Sequence, residues 1–221
     1  MNSVILSKTY KELPFCEKEI LRYAGCKDAD KEIRSLLKEC INEVKDKLTY
    51  KICYRELPFK ANGNICDFEY FSLHSEKLSL NLKNSKKVIL FAATVGVEID
   101  RLIGKYGRLS PAKALLFQAI GAERIEALCD AFCADIEKEY TMKTKSRFSP
   151  GYGDLPLSAQ KDVFAVLSPE RRIGLTLNSS LLMSPTKSVT AFVGLIDKKS
   201  CFNIKIAHSE VQNELQRILK E

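Results

Sequence analysis

The stretch from Ala112 to Glu139 constrains the fold of this chain more than any other. It contains no proline, and Ser110-Pro111 precede it as a cap followed by proline at the first helical position, where the missing N–H does no harm. Leu115, Leu116, Ala119, Ile120, Ala122, Ile125, Leu128, Cys129, Phe132 and Ile136 recur at three-and-four spacing, so one long helix is expected, lying largely against a core. The small residues Ala114, Ala119, Gly121 and Ala122 should let another backbone approach it closely.

A shorter helix is expected over 15–24, stopped by Gly25. A second follows with Ile33, Leu36, Leu37, Cys40, Ile41, Val44 and Leu48 on one stripe, capped by Asp28 or Asp30. Between Tyr50 and Leu90 the pattern changes to short runs separated by turn residues, and strands are expected around 52–54, 68–71 and 78–82. Val88 to Gly96 reads as a buried strand entering a helix over 97–106. A helical turn or two is expected over 158–167, with strands on either side of Met183-Ser184-Pro185. A last helix would carry Val211, Leu215, Ile218 and Leu219.

Without regular strand-helix-strand alternation, the expected class is α+β: a twisted antiparallel β-sheet, a long central helix and a helical N-terminal region. The 221 residues are expected to form one domain, 1–50 helical and 51–221 an α+β core.

Composition excludes several functions. No apolar run is long enough to cross a membrane, and the apolar part of 1–10 is too short for a signal peptide, so a cytoplasmic chain is expected. The eight cysteines are then expected as free thiols. With no Cys-x-x-Cys pair, and with His74 and His208 far from any cysteine in sequence, no metal site is expected. The net charge of +7 is spread among acidic residues, with no Arg-rich or aromatic-interleaved patch, which argues against nucleic acid and leaves a solvated basic surface or an acidic partner.

The chemistry-bearing segment is Arg147-Phe148-Ser149-Pro150-Gly151-Tyr152-Gly153-Asp154-Leu155-Pro156. A guanidinium grips a carboxylate with two parallel bonds, small residues let main chain approach a ligand, and Tyr152 adds an aromatic face. Taken alone, an arginine before a Pro-Gly turn is more often an ordinary surface loop.

This segment, followed by Ile173-Gly174 and then by Ser179 or Ser180 through Met183-x-Pro185 to Ser188-Val189, resembles the activation (reactivation) domain of cobalamin-dependent methionine synthase. That module binds S-adenosylmethionine (AdoMet). The resemblance spans about fifty residues. It implies that Arg147 contacts the AdoMet carboxylate, and that Ser149, Gly151 and Tyr152 contact the remainder. It also implies an acidic contact from the Glu123-Arg124-x-Glu126 segment, for which Glu126 is the candidate; by its own residue type Glu126 is more often a solvated helix carboxylate.

Two positions depart from the pattern: Ser158 replaces a histidine, and Cys201 stands near the place of an aromatic. The Gly-Asp-x-Pro-Leu variant is similar to stand-alone forms of the module. No Asp-x-His-x-x-Gly cobalamin motif occurs, so the resemblance implies cobalamin on a partner, a methionine synthase polypeptide, with a flavodoxin or another reductant supplying electrons. The implied role is reductive methylation of cob(II)alamin, with orientation rather than acid-base chemistry as the protein's part. The alternative is a reactivation or docking module for another corrinoid methyltransferase, without AdoMet binding.

Overall fold

The computed structural model describes residues 4–26 and 28–198. Strand β1 (Leu6–Tyr10) is followed by α1 (Glu17–Tyr23), α2 (Lys31–Val44), β2 (Tyr50–Leu57), β3 (Lys60–Asn62), β4 (Ile65–Asp67), β5 (Ser72–His74), α3 (Glu76–Leu82) and β6 (Lys87–Thr94). Then come α4 (Glu98–Leu109), α5 (Pro111–Glu139), β7 (Lys143–Thr144), α6 (Gln160–Leu167), α7 (Pro169–Ile173), β8 (Thr176–Leu177), β9 (Met183–Ser184) and β10 (Ser188–Ile196). The main sheet is five-stranded, with order β1-β2-β6-β10-β7 and every pair antiparallel. The fold is α+β, built on an antiparallel sheet and one long helix.

Both faces of the sheet are covered, which explains why its central strands read as continuous apolar runs rather than alternating ones. On β6, Ile89, Phe91 and Ala93 face the layer that contains α1, α2, α4 and α5, while Val88, Leu90 and Ala92 face a second core with α3, α6 and α7. β10 divides in the same way, Ala191, Val193 and Leu195 against Phe192. Helix α5 spans 29 residues, about 44 Å at 1.5 Å per residue, with Ser110 capping its start. Its Leu115 departs from the inward stripe and is 50% exposed. Gly121 does admit a close neighbour, but that neighbour is side chain: a Cβ there would lie 2.7 Å from Cγ of Lys187 and 2.8 Å from Cγ2 of Ile99.

Three expectations change. The 78–82 segment is helix α3, not a strand. Ser75 Oγ accepts from Leu78 N at 3.0 Å, and Leu78 and Leu82, four apart, are buried while Leu80 is 58% exposed. The alternating leucines imitate a strand, but the cap and the i,i+4 pair decide. Residues 68–71 form a turn in which Glu69 has a positive φ of 69° and Phe68 N donates to Phe71 O. Their aromatics serve packing instead, Phe68 stacking on Phe192 at 5.0 Å. Within the N-terminal part expected to be helical, Leu6–Tyr10 is an edge strand, short and half-exposed, held to α5 by Tyr10 Oη donating to Asp135 at 2.9 Å. The expected terminal helix and Cys201 lie outside the described residues.

Candidate functional site

After α5 the chain turns back along the free side of β10. Glu137 fastens this return: its carboxylate accepts from Thr144 N at 3.0 Å, Thr144 Oγ1 at 2.9 Å and Lys143 Nζ at 2.6 Å. Lys145 N then donates to Gly194 O, and Phe148 and Phe192 exchange both backbone bonds at 3.0 and 2.9 Å. Residues 143–148 are therefore the sheet's outer rim, and the side chains alternate across it: Phe148 enters the second core and Arg147 turns toward α5.

Helix α5 presents Glu126 and Asp130 four residues apart, hence on one face. Arg147 Nη2 donates to Glu126 Oε2 at 2.5 Å and Nη1 to Asp130 Oδ1 at 2.5 Å. Its side chain is 25% exposed. Burial works to lower the arginine's pKa, but the hydrogen bond it donates to Asp130 and the charges around it outweigh this and raise it, so the cation is fixed. Two carboxylates on one guanidinium leave the cluster with a net negative charge and three further N–H groups, one of them engaged by the Cys133 sulfur. Beside it, Cys133 is pushed up by burial despite the nearby guanidinium, and it stays a thiol.

Beyond Phe148 the chain makes two interlocked turns. Tyr152 N donates to Ser149 O, Leu155 N to Tyr152 O and Gly151 N to Leu155 O. Gly151 and Gly153 take positive φ values of 88° and 64°, conformations that suit glycine. Ser149 and Pro150 form one edge of a cleft of about 390 Å³, whose walls include Leu182, Met183 and Val189 and whose buried floor includes Gln160 and Thr190. Thr190 Oγ1 donates to the Gln160 amide oxygen at 2.9 Å. Tyr152 stands 66% exposed, its ring edge-on to Phe148 at 5.3 Å.

The structure thus joins Glu126 and Arg147 directly. It puts Ser149, Gly151 and Tyr152 on the turn that follows, and the Arg147 side chain lines a separate depression with Asp130, Cys133 and Glu137. Sequence reasoning missed Asp130, although its i,i+4 spacing from Glu126 was the available signal. It also missed Gln160, a buried polar residue at the start of α6.

Over residues 79–218 the sequence matches the family described as vitamin B12 dependent methionine synthase, activation domain. The chain belongs to this family. Among solved structures the activation-domain fold recurs in one titled "Crystal Structure of the MetH Reactivation Domain bound to AdoHcy", with a TM-score of 0.68 and 13% identity over 88% of this chain and 79% of that one. A comparison with curated proteins found no match. Within the activation-domain family the match takes in α5, the Arg147 rim and the loop that follows it. Among the described residues no helix is long and apolar enough to cross a membrane, and no group of three or more His, Cys, Asp or Glu converges to hold a metal.

Proposed function

We propose that this chain, acting as one body over 1–221, binds AdoMet at the Arg147 rim and presents it to cobalamin held on a partner, a methionine synthase polypeptide. The observation that carries the reading is the ion-paired guanidinium on the α5 side of the rim, directly ahead of the Ser149–Tyr152 turn. An amino-acid end carries a carboxylate and an ammonium. Arg147 offers donors to the first, and Glu126 with Asp130 offers acceptors to the second, so the donor set fits both charges. The net negative cluster also suits a molecule whose sulfonium adds a positive charge. Ser149, Gly151 and Tyr152 lie along the path of the remainder, small residues giving access to main chain and the tyrosine giving a ring face. The solved relative named above has AdoHcy bound, which supports the same ligand class here.

Cobalamin bound on the partner would be the acceptor of the AdoMet methyl group, with one electron coming from a reductant such as a flavodoxin and S-adenosylhomocysteine left on this chain. This chain's residues hold the donor's amino-acid end still, fix its orientation and shield one side from water. The reading places the work in methionine biosynthesis, in the cytoplasm.

Calorimetry of the purified chain with AdoMet tests this. Arg147→Ala should weaken binding by about ten- to a hundredfold, the worth of a charge-assisted contact. Unchanged affinity in that variant would refute the assignment. A second reading has its own support, since an arginine already satisfied by two carboxylates is also what a purely architectural residue looks like. On that reading the chain docks a corrinoid methyltransferase without binding AdoMet, and the unaltered chain should give no heat.

A further inference from the structure

The turn that carries Gly151 and Tyr152 is anchored from behind by a residue that no ligand need touch. Asp154 reaches across to the start of α3, where its carboxylate accepts from the Ser75 hydroxyl, from Glu76 N at 2.8 Å and from Lys77 N at 3.3 Å. Ser75 in turn accepts from Leu78 N at 3.0 Å and its carbonyl from Ser79 N at 3.1 Å. The first turn of α3 therefore has its amides satisfied jointly by its own cap and by a side chain 78 residues later in sequence. These bonds favour the ionised carboxylate, and the Asp154 pKa lies below its ordinary value, the Ser75 hydroxyl being the first cause.

Both neighbours of Asp154 are committed as well. Leu155 is buried in the second core, and Gly153 lies so close to α3 that a Cβ would sit 2.8 Å from Cδ of Lys77. Helix α3 is itself fixed to the turn between β3 and β4, through Ser75 N donating to Asn64 O at 2.8 Å. The loop thus has a support outside the five-stranded sheet, on the side away from α5.

We infer that Asp154 is a positioning residue for the ligand-binding turn: by bonding to the start of α3 it sets where Gly151 and Tyr152 stand relative to Arg147. The inference rests on the AdoMet reading above. Freed from α3, the turn would lose its fixed place, its internal bonds would open more often, and binding would have to order it again.

The test compares the unaltered chain with Asp154→Ala and Asp154→Asn, at a temperature where circular dichroism shows all three folded. AdoMet affinity should fall roughly five- to thirtyfold in Asp154→Ala, the scale of ordering one residue's backbone afresh. Asp154→Asn keeps one acceptor oxygen and should recover part of it. Hydrogen exchange supplies a readout without ligand: the Gly151 and Leu155 amides should exchange faster in Asp154→Ala, while the α5 amides stay as they were. A role confined to stability would lower the melting temperature and leave the affinity of the folded chain alone. If the unaltered chain binds AdoMet and Asp154→Ala matches it within twofold, the inference falls and the AdoMet reading stands. If the unaltered chain gives no heat with AdoMet, the reading falls and takes the inference with it.

Discussion

Replacing Arg124 with methionine should unfold this protein more readily than any surface change. Arg124 is wholly buried. Its Nη1 donates to Leu13 O at 2.7 Å and its Nη2 to Pro14 O at 2.6 Å, Nε donates to Glu123 Oε2 at 2.6 Å, and Nη2 also reaches the other oxygen of Glu123. The guanidinium lies 4.1 Å from the ring centroid of Phe15. Glu123 also accepts from Cys16 N at 3.2 Å, so this pair fastens the segment ahead of α1 onto α5. Methionine keeps much of the stem's volume but strands a buried carboxylate and two carbonyls. Breaking a buried pair from one side typically costs about 3–5 kcal/mol. At about 2–4 °C per kcal/mol for a chain of this size, the melting temperature should drop by roughly 6–20 °C. Urea unfolding at 25 °C is the assay, with Glu123→Leu/Arg124→Met as the companion. Removing both charges ends the stranded-carboxylate penalty, so the double variant should be more stable than Arg124→Met, though short of the parent because Leu13 O and Pro14 O still lack donors. A loss under about 1 kcal/mol for Arg124→Met, or a double variant less stable than the single one, would refute the account.

Two further predictions concern the cores. Leu78→Ala should destabilise by about 2–5 kcal/mol and Leu80→Lys by less than about 0.5 kcal/mol in the same urea assay, because only the first is buried on α3; comparable losses would put both on one face, as a strand requires. Burial pushes the Cys53 thiol up to about 12 and those of Cys40 and Cys66 up to about 11. In a Cys201→Ser background, a thiol reagent at neutral pH should reach exposed Cys16 and leave Cys40, Cys53 and Cys66 unmodified until denaturant is added, as peptide mass spectrometry would show.

The parts of the fold legible in the sequence were those with their own local punctuation. Ser110-Pro111 announced α5, Asp28 or Asp30 announced α2, of which the structure uses Asp30, and the run from Val88 announced β6, because a cap or an uninterrupted apolar stretch depends on little outside itself. What the sequence concealed was decided by partners. Leu6–Tyr10 is a strand because β2 offers it an edge, and 68–71 bends into a turn in which Phe68 and Phe71 both reach Phe192. The same division runs through the site. Arg147 and the turn after it stood out from residue types alone. The carboxylates that hold Arg147 and the helix that holds Asp154 come from segments 17 to 79 residues away, a distance no local pattern encodes.

The backbone exchange between Phe148 and Phe192 has a further consequence for discrimination. With Phe148 fastened to β10 at one end, Leu155 sunk in the core at the other and Asp154 bonded to the start of α3, the turn between them takes its shape as the chain folds, and little of its conformational freedom is left. On the AdoMet reading, a donor that matches this preset shape would lose little disorder on arrival, and one a methylene too bulky would find little that yields.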